Sequence, residues 1–228
     1  MLARVLEPEV MDTAEEARDY DAMDHVAVNV RFVDDLIAEG PLPHTILDVG
    51  TGTARIPIEI CARVPKVEVV AIDLAHHMLT VAKENLVQAG IAARVRLERV
   101  DAKALAYEAG SFGATVSNSI VHHIPEPARV FHEIWRVTQP GGLVFIRDLA
   151  RPETDAVLDE IVERYGGRMR SDDALVPSFK RQRFLFRASL CASLTVDEVV
   201  AIVVPLGLPK SAVSMTSDRH WTLSTRRT

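Results

Sequence analysis

The chain has 228 residues and 48% of them are hydrophobic, which is enough for one large α/β domain or for one domain with a small appendage. The formal net charge of −6 argues against a general affinity for nucleic acid or for an anionic membrane surface. No apolar run approaches a membrane span, the segment Met1–Met11 lacks a signal core, and the two cysteines lie far apart in apolar patterns, so we expect buried thiols and a cytoplasmic location.

The first predicted element is a leading helix over residues 11–40. The pattern Thr13-Ala14-Glu15-Glu16 is a capping box at its start. Apolar residues then recur at helical spacing until Gly40-Pro41 stops the run: Val26, Val30, Val33 and Ile37. Tyr20 and Met23 fall on the middle turns, where ordinary packing explains them as well as contact with a ligand does.

A strand, a tight glycine turn and a helix start follow the leading helix. The run Thr45–Val49 is apolar except for Thr45 and Asp48, and Gly50 and Gly52 follow it one residue apart. Glycines there let the backbone approach a ligand that a Cβ atom would exclude, and the N-terminus of the next helix favours a nucleotide. A dinucleotide-binding fingerprint would need a third glycine at the position of Arg55. The alternative is an ordinary strand-to-helix turn, with Asp48 as a cap.

The short Gly-x-Gly-x-Ala pattern preceded by an acid resembles the first motif of the class I S-adenosylmethionine-dependent methyltransferases. The resemblance implies a Rossmann-like, doubly wound α/β fold with a seven-stranded, mostly parallel sheet, an antiparallel C-terminal hairpin and helices on both faces. It also implies S-adenosylmethionine as cofactor, with Asp48, Gly50 and Gly52 at the binding site. That cofactor carries an ammonium group and no phosphate, so an acid beside the glycines suits it. In this family the leading helix covers the cofactor, which makes Tyr20 and Met23 candidate contacts.

Two further strands end in acids that match adenosine-binding positions of the family. The second strand ends at Asp73, roughly twenty residues past the glycines, where a carboxylate can accept both ribose hydroxyls. Leu74 and Met78 follow it and are candidates to flank the adenine. The third strand ends before Asp101 and Ala102, which match the positions that read the adenine amine and ring. A helix cap at Asp73 and a turn carboxylate at Asp101 are the alternatives.

The exit loop of the central strand is expected to hold the reacting atoms, because it opens at the topological switch point of the sheet. Asn118 and Ser119 end that strand and are expected to line the methyl site. The segment lacks the acid/amide-Pro-Pro-aromatic motif of methyltransferases that act on nucleobases or glutamine. Instead, His122 and His123 before an Ile-Pro pair resemble the small-molecule branch that includes quinone-type methyltransferases. Either histidine is a candidate general base, or a packed and hydrogen-bonded side chain.

After this loop the sequence predicts a helix, a turn and the fifth strand. The turn, Pro140-Gly141-Gly142, is a family hallmark that we interpret as structural. The strand Leu143–Asp148 then points its end at the same cleft. Arg147 and Asp148 are therefore candidate substrate contacts, and Asp148 is also a candidate base. An ordinary acid at a strand end is the alternative.

Residues 151–194 depart from the standard core and are expected to form a helical insertion that shapes the substrate site. Helices are predicted over Pro152–Tyr165 and Ser178–Leu194, with a polar loop between them. Arg183 and Arg187 share one helix face and are candidates to bind an anionic substrate. A solvated basic face is the alternative. Beyond the insertion, a second capping box opens a helix, and two terminal strands form the hairpin.

Taken in order, these features predict one methyltransferase domain over residues 1–228 that transfers a methyl group to a small-molecule acceptor by in-line displacement. No nucleic acid, membrane or metal is expected as a partner, and no cluster of His, Cys and carboxylates has ligand spacing. The alternatives are an RNA or protein methyltransferase that docks through the stripe Lys180–Arg187, a nicotinamide oxidoreductase, and a non-catalytic module that binds the same cofactor. The acceptor, its reacting atom and the oligomeric state stay open.

Overall fold

The computed structural model describes residues 2–7, 12–23, 25–166 and 177–228. Within these ranges the helices are α1 (Ala14–Asp21), α2 (Val26–Ala38), α3 (Arg55–Arg63), α4 (His76–Gln88), α5 (Pro127–Val137), α6 (Asp155–Tyr165), α7 (Pro177–Ala192) and α8 (Val196–Val203). The strands are β1 (Thr45–Val49), β2 (Glu68–Asp73), β3 (Val95–Arg99), β4 (Phe112–Asn118), β5 (Thr138–Leu149), β6 (Val213–Met215) and β7 (His220–Arg226). No helix in these ranges combines the length and the apolar character needed to cross a membrane.

The strands of the described ranges form one sheet in the order β3-β2-β1-β4-β5-β7-β6. β1 to β5 run parallel, while β7 pairs antiparallel with both β5 and β6. The strand order reverses between β1 and β4, so the carboxyl ends of the parallel strands open a crevice there. The predicted fold, a doubly wound seven-stranded sheet with a C-terminal hairpin, is confirmed.

Helices cover both faces of the sheet. Neighbouring residues of a strand point to opposite faces, so both sets of side chains are buried. Ile46 and Phe145 pack with α2, α3 and α4 on one face, whereas Leu47 and Val144 pack with α5 and α8 on the other. A strand that is covered on both faces needs apolar residues at consecutive positions, which explains the apolar runs of β1 and β2. The core therefore fixes the strands and leaves ligand binding to the loops at their ends.

The leading segment is two helices, which corrects the prediction of one helix. The predicted capping box is present at the start of α1, where Thr13 and Glu16 exchange hydrogen bonds between side chain and backbone. α1 ends at Asp21, whose carboxylate accepts hydrogen bonds from Arg55 and Asn85 at 2.7–2.9 Å. α2 instead packs its buried face on the sheet. The leading segment is divided into two helices because α1 packs on α4 and α2 packs on the sheet.

The Pro-Gly-Gly hallmark lies inside β5 and not in a turn before it. α5 ends at Val137, and β5 already begins at Thr138. Gly141 has a left-handed φ of +76°. Its amide donates to the carbonyl of Arg227, and the amide of Arg227 donates to the carbonyl of Gly142. The hallmark is thus an irregular start of β5 that the C-terminal residues hold in place.

The C-terminal elements match the prediction with shifted boundaries. α6 begins at Asp155, and the loop predicted for 168–173 lies outside the described residues. The second capping box, Thr195 with Glu198, opens α8 as predicted. Of the two cysteines, Cys61 is buried as predicted, but the other is only half-buried.

Candidate active site

Three adjoining cavities lie at the carboxyl ends of the parallel strands. The strand-end cleft is formed by the ends of β1 to β4 with α4, and its empty volume is about 820 Å³. The Asp48 pocket, of about 770 Å³, lies between the glycine turn, α1 and α2. The large chamber, of about 1960 Å³, lies between α1, the exit loop of β4, α7 and β7. Tyr20 and Asn118 line all three cavities, which therefore meet at these two side chains.

Asp73 at the end of β2 ties the glycine turn to the start of α4. Its carboxylate accepts hydrogen bonds from the amide of Gly52 at 2.8 Å and from the amide of Ala75 at 2.9 Å. Burial raises the pKa of the Asp73 carboxyl, and the amide donors offset part of that rise. A carboxylate has about four acceptor positions, so this fixed side chain can still accept from ligand hydroxyls at the cleft wall.

The glycine turn has a left-handed backbone, with φ +74° at Gly50 and +53° at Gly52. A Cβ atom on Gly50 would lie 2.1 Å from Cγ2 of Ile120, whereas one on Gly52 would approach only the ring of Tyr20, at 3.6 Å. Gly50 is therefore needed so that the exit loop can pack on the turn, and Gly52 keeps open the space beside Tyr20. Ala54, where the family motif allows glycine, is also left-handed with φ +63°.

Asp48 is buried beneath this turn and has an oxygen without any partner. The residue is 1% exposed, and its Oδ2 atom makes no hydrogen bond. Burial raises the pKa of Asp48 to about 7. Because a buried carboxylate without a partner is unfavourable, the pocket is suited to a ligand that brings a positive charge and hydrogen-bond donors. Met23 lines the same pocket.

The other predicted adenosine contacts meet in the strand-end cleft. Leu74 and Met78 line it from the start of α4, and Asp101 and Ala102 line it from the turn after β3. Asp101 also accepts a hydrogen bond from the amide of Lys103 at 2.9 Å. It is thus a turn carboxylate and a cleft residue at once, so the two interpretations of Asp101 do not exclude each other.

The exit loop turns sharply at Ser119, a feature that the sequence pattern does not reveal. Its φ of +61° costs a residue with a Cβ atom about 1–2 kcal/mol. The amide of Ser119 donates to the carbonyl of Arg147 at 2.9 Å, which holds the turn in place. The neighbouring Asn118 has a buried Oδ1 atom without a hydrogen bond. Backbone strain and an unpartnered polar atom at the junction of the cavities are typical of a functional site.

His122 and Asp148 form a buried pair at the wall of the large chamber. Nδ1 of His122 lies 2.5 Å from Oδ1 of Asp148, and the His122 amide donates to Oδ2 at 2.9 Å. Burial opposes the charged imidazole, but the Asp148 carboxylate outweighs burial and raises the pKa of His122. Asp148 is 1% exposed and does not line the chamber itself. It is therefore a support for His122, which corrects its prediction as a substrate contact.

Glu7 contacts both histidines, although it is far from them in the sequence. Its Oε1 atom lies 3.0 Å from Nδ1 of His123 and 3.6 Å from Nε2 of His122. Arg4 holds this N-terminal segment in place by donating to carbonyls of α7 and of the exit loop at 2.6–3.3 Å. Glu7, His122 and His123 thus meet in space although they have no ligand spacing in the sequence, because spacing rules detect only ligands that lie close in sequence.

The far wall of the large chamber holds Arg181 from the predicted basic stripe, and three residues to which the sequence pattern assigned no role: Tyr165, Arg219 and His220. The Arg219 guanidinium stacks on the ring of Tyr165, with Cζ 3.5 Å from the ring centroid. Burial, with Arg219 and a second arginine nearby, lowers the pKa of His220 to about 4, so this imidazole is neutral at neutral pH. These residues come from α6, α7, the turn before β7 and the start of β7, and only the folded chain brings them together.

Comparison with known proteins agrees with this geometry. A sequence family described as "Methyltransferase domain" matches residues 46–142, a span that runs from β1 to the irregular start of β5. A malonyl-[acyl-carrier protein] O-methyltransferase from Geobacter sulfurreducens is 36% identical over 129 residues, which are 56% of this chain and 47% of that protein. A demethylmenaquinone methyltransferase from Deinococcus radiodurans is 32% identical over 110 residues, 48% of this chain and 45% of that protein.

Residues 46–142 of the chain are thus similar to a methyltransferase domain. A crystal structure of an S-adenosylmethionine-dependent methyltransferase from Aquifex aeolicus shares the fold across 96% of this chain and 100% of that chain, with a TM-score of 0.67 and 16% identity. The chain spans about half the length of the curated relatives that it matches.

Most of the predicted site residues of this chain do lie at the cavities. The strand-end cleft is lined by Tyr20, Gly50, Gly52, Asp73, Leu74, Met78, Asp101, Ala102, Asn118 and Ser119. Met23 and Asp48 line the Asp48 pocket, and His122 and His123 line the large chamber. The arginines predicted as substrate contacts are elsewhere.

Arg147 lies outside the three cavities, which corrects its prediction as a substrate contact. It is 5% exposed, and its guanidinium donates to the hydroxyl of Thr222 at 2.9 Å and to the carboxylate of Asp35 at 2.7 Å. The same guanidinium packs over the rings of Phe32 and Phe145. Side chains alternate along a strand, so β5 directs Arg147 towards α2 and its neighbour towards the exit loop.

Replacing Arg147 by alanine is expected to lower the free energy of unfolding by about 2–4 kcal/mol, because Asp35 loses a mostly buried partner. Cofactor affinity per folded molecule should not change. Urea unfolding and calorimetry on the same preparation check both statements. A variant with the wild-type free energy of unfolding but weaker binding of the methyl acceptor would contradict this structural role and support Arg147 as a substrate contact.

Arg183 and Arg187 share a face of α7 as predicted, but that face is turned towards α6. Arg183 lies 2.7 Å from a carboxylate oxygen of Glu163, and Arg187 binds Asp159. Neither arginine lines the large chamber, so their prediction as substrate contacts is corrected. The acids of α6 recur every four residues, and this matching stripe was visible in the sequence.

Proposed function

We propose that this chain binds S-adenosylmethionine across the strand-end cleft and the Asp48 pocket, and transfers its methyl group to a small molecule in the large chamber. The observation that carries the proposal is the unpartnered, buried Oδ2 atom of Asp48 beside the cleft that Asp73 and Asp101 line. A buried carboxylate suits an ammonium group and opposes a phosphate. A nicotinamide dinucleotide is disfavoured for the same reason, since its pyrophosphate would meet Asp48.

Each residue of the strand-end cleft has a part in holding the adenosine. The Asp73 carboxylate, fixed by two amides, accepts from the ribose hydroxyls. Asp101 accepts from the adenine amine, and the Ala102 backbone reads the ring. Leu74 and Met78 lie on apolar wall positions of the same cleft and flank the adenine. Asp48 pairs with the ammonium group at the other end of the cofactor.

When bound, S-adenosylmethionine supplies a methyl group that its sulfonium charge has already activated for in-line displacement. The protein contributes alignment and the exclusion of water. Tyr20, Asn118 and Ser119 surround the junction of the three cavities, where cofactor and acceptor would meet. Burial and the acids around it raise the pKa of Tyr20 to about 12, so its phenol stays neutral and can donate a hydrogen bond there.

A proton acceptor is needed only where the acceptor atom of the substrate begins protonated. Two candidates face the chamber: His122, which Asp148 holds through Nδ1, and His123, which lines both the chamber and the strand-end cleft. His123 is the nearer to the cofactor cleft by this placement. Asp148 contributes by fixing the ring of His122 and is a positioning residue.

The acceptor is a small molecule, with the segment 11–40 as a lid and the insertion 151–194 as the wall that shapes its chamber. By their names, the relatives described above act on malonyl-[acyl-carrier protein] and on demethylmenaquinone. An RNA would need a free basic stripe, yet Arg183 and Arg187 bind acids of α6, and Arg181 lies 3.7–3.9 Å from acids of α1. This pairing supports a small acceptor over a nucleic acid.

Turnover of S-adenosylmethionine against a library of small metabolites tests the proposal. The library should include quinone precursors, phenols and carboxylic acids, and RNA and protein substrates should be assayed in parallel. We expect methyl transfer to one class of small molecule, with little dependence on salt concentration. Transfer to RNA or protein alone, or cofactor binding with no turnover on any substrate, would contradict it.

Affinity for S-adenosylmethionine is expected to rise with pH and to level off above the Asp48 pKa of about 7. Below that pH the buried carboxyl is protonated and offers no charge to the ammonium group, so affinity should fall by up to about tenfold per pH unit. Calorimetric titration at several pH values measures this. Asp48→Asn should bind weakly at every pH.

The raised pKa of Asp48 has the opposite effect on the stability of the ligand-free protein, which falls as pH rises. Because the folded pKa of Asp48 lies above its unfolded value, this group contributes stability at acid pH that is lost as pH rises through about 7. Asp48→Asn should therefore unfold at a higher temperature than wild type at pH 8. Wild-type cofactor affinity in this variant, or an affinity that ignores pH, would contradict the assignment of Asp48.

A further inference from the structure

We propose that Glu7, His122 and His123 form a binding site for one divalent transition-metal ion at the wall of the large chamber. One donor atom from each residue lies within 4.8 Å of the other two. The contacts of Glu7 run from Oε1 to Nε2 of His122 and to Nδ1 of His123. Metal binding can be measured without any methyl acceptor. An ion bound here would occupy one ring nitrogen each of His122 and His123, so metal binding and their candidate role as proton acceptors exclude each other.

The spacing of the three donors fits a coordination sphere. Oε1 of Glu7 is 3.0 Å from Nδ1 of His123 and 3.6 Å from Nε2 of His122. Ligands that bind an ion such as Zn²⁺ at about 2.0–2.2 Å lie roughly 3 Å or slightly more from one another. The two distances from Glu7 are therefore already close to those between ligands of one ion.

One donor atom has no other partner. Nδ1 of His123 is shielded from solvent, and its ion-pair contact with the Glu7 oxygen at 3.0 Å lacks good hydrogen-bond geometry. Buried polar atoms without partners are uncommon in native structures and mark a missing water, ion or ligand. The contact with Glu7 alone thus leaves this nitrogen unsatisfied.

Residues behind the cluster orient two of the ligands. Asp148 lies 2.5 Å from the other ring nitrogen of His122, which leaves Nε2 on the side of Glu7. The hydroxyl of Ser189 donates to Oε1 of Glu7 at 3.1 Å. A carboxylate on the second ring nitrogen is the usual support for a metal-binding histidine. Arg4 of the N-terminal segment donates to the carbonyl of His122 at 3.3 Å. Its guanidinium and the carboxylates of Glu7 and Asp148 are thus charged groups that lie beside the two histidines.

Two imidazoles and one carboxylate favour Zn²⁺, Co²⁺, Fe²⁺ or Ni²⁺ over Mg²⁺ and Ca²⁺, which prefer oxygen ligands. Three protein ligands also leave a coordination position for water or for an oxygen atom of the substrate. His123 lines the strand-end cleft as well as the chamber. An ion held there would orient an acceptor oxygen beside the methyl site, a statement that rests on the proposed function.

Titration of metal-stripped, tag-free protein with Co²⁺ tests the site, with calorimetry and visible absorption as readouts. We expect one equivalent to bind. Glu7→Gln and His123→Asn are each expected to weaken binding at least about tenfold. His77→Asn is the matched control. Nδ1 of His77 lies 3.1 Å from a carboxylate oxygen of Asp12 in a surface pair to which the described residues add no third ligand. That variant should bind Co²⁺ like wild type.

Equal Co²⁺ affinity in wild type, Glu7→Gln and His123→Asn would overturn the site, as would the absence of stoichiometric binding to wild type. Anomalous scattering from wild-type crystals soaked in Co²⁺ covers the case in which a variant fails to fold. A peak among the three donors supports the site, and a peak elsewhere only, or none, overturns it. Affinity of the stripped protein for S-adenosylmethionine is measured separately, so a failed metal site and a failed cofactor assignment are distinguishable.

Discussion

Asp73→Ala is expected to weaken binding of S-adenosylmethionine by at least about 100-fold. Hydrogen bonds to a charged group contribute about 1.5–3 kcal/mol each, and the ribose has two hydroxyls to lose. The substitution also releases the amide of Gly52, which the Asp73 carboxylate holds at 2.8 Å, so the glycine turn loses its support. Calorimetric titration of the folded variant measures the loss of affinity.

Asp12→Ala is the matched control for the structural part of that effect. Asp12 accepts from the amide of His77 at 2.9 Å, much as Asp73 accepts from the amide of Ala75 at the same end of α4. Both variants should lose a helix-capping contribution of about 1 kcal/mol, but only Asp73→Ala should lose the cofactor. Undiminished affinity in Asp73→Ala, or an equal loss in Asp12→Ala, would refute the ribose assignment.

Gly50→Ala is expected to destabilise the fold by about 2–5 kcal/mol and to abolish cofactor binding. A left-handed backbone costs alanine about 1–2 kcal/mol, and overpacking adds about 1–3 kcal/mol. The overlap is with atoms close to the main chain, since the new Cβ would lie 2.1 Å from Cγ2 and 2.9 Å from Cβ of Ile120. The exit loop, and with it Ser119, must move to make room.

Gly90→Ala isolates the backbone part of this effect. Gly90 has φ +70°, close to the value at Gly50, but a Cβ there would meet nothing within 4 Å. It should therefore cost only about 1–2 kcal/mol in denaturant unfolding and leave cofactor binding intact. If Gly50→Ala were no less stable than Gly90→Ala, overlap with Ile120 would not be a cause of destabilisation at Gly50.

The fold was predictable because most of its signals are local. Apolar runs with acids near their ends predict β1 and β2, and the spacing of Thr13 and Glu16 predicts the start of α1. The break between α1 and α2 was not predictable in this way, because helical periodicity continues through it. At the end of α1, Asp21 binds Arg55 and Asn85, and these are contacts between elements far apart in sequence.

The cofactor site was predictable for a topological reason. Parallel strands end at one edge of the sheet, so acids at successive strand ends, such as Asp48, Asp73 and Asp101, must come close together. The orientation of Arg147 was missed although alternation along β5 from Phe145 would have given it.

The large chamber was less predictable, because its walls come from segments without a common sequence signal. Glu7 lies on an N-terminal stretch that has no periodicity, and its place depends on the hydrogen bonds of Arg4 to α7 and the exit loop. His220 begins the strand that returns beside β5. Neither position can be inferred from spacing along the chain.

A crystal structure of this protein with S-adenosylmethionine tests the central claim most directly. We expect the ribose hydroxyls on Asp73, the adenine beside Asp101 and Ala102, and the ammonium group next to Oδ2 of Asp48. An empty strand-end cleft at saturating ligand, or an adenosine that contacts neither Asp73 nor Asp101, would contradict the account.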